Sequence, residues 1–237
     1  MSQPVILILG ASGGLGRALT THFLKDNFSL ALQFNSTDID IEENDRLKSY
    51  KADLRNEEEV IGLISSVSHD FGRIDGVINA AGISLNGMSW KTSLENWQET
   101  LDVNLTAPFL VTKHVLPIMR EQNFGRIIYI SSIVAQTGVV GASAYAASKA
   151  GLSGLAKTVS KEVSNKNITS NAIALGYFNA GMINDVPETM KEEIINDIPL
   201  KRLGDPKELY KLISFLLSAE SSYFTGQTIA LNGGLYS

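Results

Sequence analysis

VILILGASGGLG, residues 5–16, decides how the rest of the chain is read. Val5 to Leu9 is an unbroken apolar run, the mark of a strand covered on both faces. Gly10-Ala-Ser-Gly-Gly-Leu-Gly16 follows directly. Its glycines allow a tight turn and let backbone N–H groups approach a pyrophosphate at a helix N-terminus. Leu15, Ala18, Leu19 and Phe23 then give the buried stripe of an amphipathic helix. A glycine loop alone marks only a turn; between a buried strand and such a helix it points to a dinucleotide. The apolar start lacks a basic leading region and breaks into glycines, so it reads as a first strand and not as a signal sequence.

Further strand–helix units follow. Phe28–Phe34 and Leu47–Ala52 read as strands, and the polar, acidic stretch 35–50 as a shortened helix or irregular loop. Asn56 caps a helix whose first turn holds Glu57, Glu58 and Glu59 and which Gly72 ends. Ile74–Ile78 is a fourth strand, followed by Asn79-Ala-Ala-Gly82. Ser93 caps a long helix towards Arg120, interrupted at Asn104 by a poor helix former. Ile168–Ala174 and Thr228–Leu231 read as the last strands, with a lid over 182–201 and a capping box at Asp205-Pro-Lys-Glu208 between them. The expected architecture is one doubly wound, Rossmann-type α/β domain over 1–237, with a seven-stranded parallel sheet.

Composition sets bounds on function. The 237 residues are 44% hydrophobic and 19% charged, as in a soluble globular enzyme. A net charge of −5 gives no sign of nucleic-acid binding, and no stretch approaches the roughly 20 apolar residues of a membrane span. There is no cysteine, and His22, His69 and His114 show no ligand spacing, so no metal site is expected.

The chemistry sits in GRIIYISSIVAQTGVVGASAYAASKAGL, residues 125–152. Arg126–Ser131 reads as a buried strand, with Ser132 at its end. From Ser143 the composition favours helix, and Tyr145 and Lys149 fall one turn apart on one face. A Tyr phenol has a pKa of about 10, which a nearby ammonium lowers, so the pair can exchange a proton near neutral pH. A single pair at that spacing is more often a buried Tyr beside a solvated Lys.

Ser132, Tyr145 and Lys149, with Asn79-Ala-Ala-Gly82 and Asn104, resemble the short-chain dehydrogenase/reductase family from Val5 to Gly234. The resemblance implies hydride transfer between a nicotinamide coenzyme and a carbonyl or secondary alcohol. It makes Tyr145 the general acid in reduction, Ser132 the donor to the carbonyl oxygen, Lys149 the ribose ligand and Asn104 the support of a water relay. It assigns coenzyme contacts to Gly10, Ser12, Gly13, Gly14, Leu15 and Gly16, then to Asn35 and Ser36. Asp53 and Leu54, Asn79 to Gly82 (with Ala80 and Ala81 between), Tyr145, Lys149, Gly176 and Phe178 complete the set. Asp53 reads equally well as a turn residue. The chain departs from the family pattern at Leu9, Leu175 and Ala180, where Thr, Pro and Thr are usual.

GRIIYISS, YAASKAGL, PLKRLGDPKEL and TGQTIALNGGL are most similar to 3-oxoacyl-carrier-protein and acetoacetyl-CoA reductases. Enoyl reductases of the fold use a wider Tyr-to-Lys spacing. The resemblance therefore implies reduction of a 3-oxoacyl thioester, linked to acyl-carrier protein or CoA, in the cytoplasm. Sugar, polyol or cyclic-ketone dehydrogenases are the enzymatic alternative, and a non-catalytic coenzyme sensor the alternative of another class. NADP(H) is expected, with NAD possible, because Phe34 stands where an NAD enzyme carries a carboxylate and Asn35 and Gly13 stand where cations are usual. Arg46 or Lys48 is expected to compensate. A basic patch for the anionic carrier is expected from Arg120, Arg126 and Lys161, or Lys201 and Arg202. A homotetramer is expected, built on Ala146, Ala147, Ala150, Gly151 and Gly154 of one helix and Phe109, Val111 and Val115 of another.

Overall fold

The computed structural model describes residues 3–236, so Met1, Ser2 and Ser237 of the expected domain lie outside the described residues. Its strands are β1 (Val5–Leu9), β2 (Ser29–Phe34), β3 (Leu47–Lys51), β4 (Gly76–Asn79), β5 (Gly125–Ser132), β6 (Ile168–Leu175) and β7 (Thr228–Leu231). They pair in parallel in the order β3-β2-β1-β4-β5-β6-β7. The order reverses at β1, between β2 and β4, which opens a crevice at the carboxyl ends of the strands.

The apolar run of β1 shows why the sheet needs cover on both sides. Val5, Leu7 and Leu9 join one core with α2 (Glu57–Phe71), α4 (Ala107–Gln122) and α6 (Ser143–Val163). Ile6 and Ile8 join the other core with α1 (Gly14–Phe23) and α8 (Pro206–Leu217). All five are at most 2% exposed. Each such side chain contributes about 1.5–3 kcal/mol when withdrawn from water.

The punctuation read from sequence is present. Asn56 accepts a hydrogen bond from the Glu58 N–H, and Gly72 closes α2 with φ 73°. Asp205 and Glu208 form the capping box of α8, with Pro206 at its start. Residues 35–46 form an irregular loop and no helix, so the second of the two expected forms is the one adopted. Ile39 and Ile41 lay this loop against the core on the α1 side. β4 begins at Gly76, later than Ile74: Ile74 pairs with the Gln122 side chain instead of a strand neighbour.

The long helix around Asn104 is broken in a specific way. α3 (Leu94–Leu101) runs into a π turn, Asp102–Thr106, and then into α4. A π turn inserts an extra residue into the helical ladder and re-aims the side chains beside it. Before α6, a short α5 (Val134–Thr137) and a loop carry the chain back over β5. The segment expected as a lid holds a 3₁₀ turn, Gly181–Asp185, and α7 (Glu188–Asp197).

Candidate active site

β5 delivers Ser132 to the carboxyl edge of the sheet, beside the crevice. Its hydroxyl accepts from the Val134 N–H at 3.2 Å and hydrogen-bonds the phenol of Tyr145. α6 places Lys149 one turn after Tyr145, with Nζ 5.7 Å from the Tyr145 ring centroid. Lys149 is 4% exposed, and Nζ donates to the Ile130 carbonyl at 2.7 Å. The Ser131 hydroxyl donates to the Lys149 carbonyl at 2.8 Å, so β5 holds this turn of α6 at both ends of the lysine.

Asn104 is fully buried, and the π turn aims it into the same site. Its Oδ1 accepts from the Ile83 N–H at 2.9 Å. Its Nδ2 donates to the Ile83 carbonyl at 2.9 Å and to Ser148 Oγ at 3.1 Å. Ser148 donates in turn to the Tyr145 carbonyl. A Cβ on Gly82 would stand 3.3 Å from both Asn104 Oδ1 and Lys149 Nζ. The Asn79–Gly82 turn, the π turn and the catalytic helix therefore meet at one point.

The electrostatics differ from the sequence expectation. Burial raises the Tyr145 phenol above its ordinary value; the Ser132 hydrogen bond opposes this and nearby Tyr177 adds to it. The expected lowering by Lys149 is absent from the free protein. Lys149 is itself pushed down to about 8, because its ammonium is buried without a carboxylate partner. Near neutral pH the lysine is the cation of the site and Tyr145 is the protonated acid, which is the state a reduction requires.

The glycine loop fits a dinucleotide. Gly10 takes φ +70°, and a Cβ there would stand 2.7 Å from the Ala81 Cα. A Cβ on Gly14 would stand 2.6 Å from the Gly181 nitrogen, and one on Gly16 would overlap the Gly10 carbonyl. Gly13 accepts the first helical bond of α1 from the Arg17 N–H, so the loop ends in a free helix N-terminus. At the end of β4, both amide atoms of Asn79 are buried with no protein partner, as suits a site whose occupant completes the hydrogen bonding. Residues of the crevice thus fit a nicotinamide coenzyme: the glycine loop for the pyrophosphate, Lys149 and Asn79–Gly82 for the ribose on the β4 side.

Other expected contacts are placed less simply. Ser12 is half-buried in the loop, and Asn35 and Ser36 are exposed at the end of β2. Asp53 gives both carboxylate oxygens to Arg55, so the turn reading accounts for its side chain. Leu54 is buried in the core, which leaves its backbone as the group a ligand can meet. Gly176 packs on Asn232 and Phe178 on Gly204, just after the end of β6.

Several expectations are overturned. Arg46 donates to the carbonyls of Asp26 and Phe28, and Lys48 pairs with Asp70; Arg46 precedes β3 and Lys48 is its second residue, at the end of the sheet opposite the glycine loop. Arg126 is fully buried at the start of β5, bonded to the Gly125, Asn167 and Ser218 carbonyls. Arg120 and Lys161 lie in the last turns of α4 and α6, again opposite Ser132. These three make no patch beside the site. Arg202 is paired with Glu208, and Lys201 with the Asn196 carbonyl. Val111 and Val115 are fully buried, and Gly151 makes room for Leu105 of its own chain.

Sequence reading missed Ser148 and Tyr177. Ser148 is buried between two singled-out residues, Tyr145 and Lys149, and its position one residue before the lysine was the available signal. Tyr177 reaches Tyr145 through the turn after β6, which no spacing in the sequence reveals.

A doubly wound sheet with a glycine loop at its switch point and a Ser–Tyr–Lys–Asn cluster beside it defines a nicotinamide-dependent oxidoreductase acting on CH–OH or C=O. The family model described as "Enoyl-(Acyl carrier protein) reductase" matches residues 10–236. The 3-oxoacyl-(acyl-carrier-protein) reductase FabG of Thermotoga maritima is 37% identical over 238 residues, spanning 98% of this chain and 97% of that protein. The acetoacetyl-CoA reductase of Rhizobium meliloti is 37% identical over 236 residues, spanning 98% of each. Among solved structures, levodione reductase superposes with a TM-score of 0.91 at 29% identity, covering 99% of this chain and 98% of that one. The chain belongs to the short-chain dehydrogenase/reductase family.

Proposed function

We propose that the protein reduces the keto group of a 3-oxoacyl thioester, carried by CoA or acyl-carrier protein, to the 3-hydroxyacyl product with NADPH. The observation that carries this reading is the full-length similarity to relatives with those names, over a site whose catalytic set is complete. The complete set also disfavours a non-catalytic sensor. A bound nicotinamide supplies the hydride. Tyr145 donates the proton to the substrate oxygen, Ser132 orients that oxygen, and Lys149 holds its positive charge beneath the site. Asn104 fixes the Ile83 backbone and, through Ser148, the first turn of α6. Preorganised donors of this kind stabilise charge as it develops on oxygen.

The mouth of the site suits an apolar chain. The Gly87 N–H donates to the Gly141 carbonyl at 2.8 Å, which joins the loop bearing exposed Met88 to the loop bearing exposed Val139 and Val140. Met182 and Met190 of the lid are also exposed. Initial rates with acetoacetyl-CoA, against a panel of sugars and cyclic ketones, test the reading. No advantage for the thioester would reject it.

A second reading, reduction of an unactivated cyclic ketone, has its own support. The lid carries Asp185, Glu188, Glu192, Glu193 and Asp197 against Lys191 and Lys201, a field that opposes an anionic carrier. The levodione reductase likeness points the same way.

NADPH is favoured because β2 ends in Phe34 with no carboxylate to repel a 2′-phosphate, and Asn35, Ser36 and Thr37 are exposed there as neutral donors. A homotetramer belongs to the same reading. Ala147, Ala150 and Gly154 form an exposed small-residue stripe on α6, and Phe109 is 48% exposed on α4. Light scattering at micromolar concentration tests it; a monomer mass rejects it.

A further inference from the structure

Gln33 is a polar residue inside an apolar strand, 2% exposed, with no part in the chemistry above. The pairing of β1 with β2 ends at Ile8 and Leu32, and Gln33 takes over where that ladder stops. Its backbone carbonyl accepts from the Ala11 N–H at 2.9 Å. Its Oε1 accepts from the Gly10 N–H at 2.9 Å, and its Nε2 donates to the Ala52 carbonyl at 2.7 Å. One side chain therefore ties the first turn of the glycine loop to the chain leaving β3, just before Asp53. These two segments bound the crevice on the side of β2 and β3.

We propose that Gln33 is a positioning residue for the coenzyme, fixing the pyrophosphate loop and the loop after β3 relative to each other. The proposal rests on the nicotinamide-coenzyme reading and deepens it. Gly10 stands at φ +70° against Ala81, so its turn is the part of the loop least able to shift without loss of the cradle. An apolar side chain at position 33 would leave the half-buried Gly10 N–H and the buried Ala52 carbonyl without these partners. Both groups would then turn towards water or towards each other's neighbours, and the loop would no longer be held in its binding geometry.

The test is direct binding of NADPH, NADH and ADP to wild type, Gln33→Leu and Gln33→Glu, beside turnover at saturating coenzyme. ADP contains the parts of the coenzyme that the two loops would hold and lacks the nicotinamide. Gln33→Leu should weaken dinucleotide and ADP by the same factor, about tenfold, equivalent to about 1.4 kcal/mol, while kcat stays within about twofold of wild type. Gln33→Glu carries the sharper readout. Its protonated form keeps one acceptor and one donor, as the amide does; its anion keeps the acceptor but faces the Ala52 carbonyl without a proton. Burial raises such a carboxyl, so its affinity relative to wild type should be near unity below the carboxyl's pKa and fall as pH rises through it. A purely packing role would give no such profile. Leu-variant affinity for ADP equal to wild type in a folded protein would overturn the proposal, as would a Glu-variant ratio that ignores pH. If Gln33→Leu does not fold, the Glu variant at the two ends of the pH range decides. Failure of the coenzyme reading itself is separate: wild type would bind neither dinucleotide.

Discussion

Lys149→Met should trade activity for stability, with a pH dependence set by the buried ammonium. Lys149 is 4% exposed, donates a hydrogen bond to the Ile130 carbonyl, and has its pKa pushed from 10.5 to about 8 by burial. At about 1.36 kcal/mol per unit, that depression costs the folded state roughly 3 kcal/mol wherever both states are protonated. The sign follows from proton binding. The unfolded chain holds this proton more tightly, so the cost is full below about pH 8 and is relieved as pH rises towards 10.5. Methionine removes the charge at similar length but leaves the Ile130 carbonyl unpaired, a loss of about 1–3 kcal/mol that does not depend on pH. The mutant should therefore match or exceed wild type at pH 7 and fall behind it near pH 10.5. With about 2–4 °C per kcal/mol for a chain of this size, the difference in Tm should move by roughly 6–12 °C across that range. Thermal or denaturant unfolding of both proteins, coenzyme-free and at one protein concentration, measures it. A mutant-minus-wild-type difference that stays constant from pH 7 to 10.5 would refute the reasoning. Turnover of Lys149→Met should be lost throughout.

Tyr145→Phe should lower turnover by about 10²–10⁴-fold, the range of a positioned proton donor, while a coenzyme titration on the same preparation stays near wild type. The pH profile of kcat/KM for reduction should fall above about pH 8, as Lys149 in the free protein loses its proton; a flat profile to pH 9.5 would remove the charged lysine from the rate-limiting events. Gly14→Ala should abolish coenzyme binding, since its Cβ would meet the Gly181 backbone at 2.6 Å; unchanged affinity by titration would show that the lid start yields. NADPH should give a higher kcat/KM than NADH, by a modest factor, because β2 ends in Phe34 and no cation read from the sequence stands beside it; a clear preference for NADH would reverse the coenzyme assignment.

What the sequence made legible depended on range. Local rules found the caps at Asn56 and Asp205, the αL glycine at 72 and the apolar strands, because each is a signal carried by neighbouring residues. The catalytic set was legible only through family resemblance: Tyr145 and Lys149 share a helix face, but nothing local brings Ser132 or Asn104 to them. The failures share one cause. Arg126 looked like a surface cation and proved to be a buried strap on three carbonyls; Arg46 and Lys48 looked close to the ribose and proved to lie before and near the start of their strand instead of at its end. In a parallel sheet every strand has a ligand end and a far end. Charge composition ignores that direction, so a basic residue's side of the sheet must be read from its place within the strand or helix. By that rule Lys51, the exposed last residue of β3 and the register partner of Phe34, lies at the ligand end of its strand, where Arg46 and Lys48 do not.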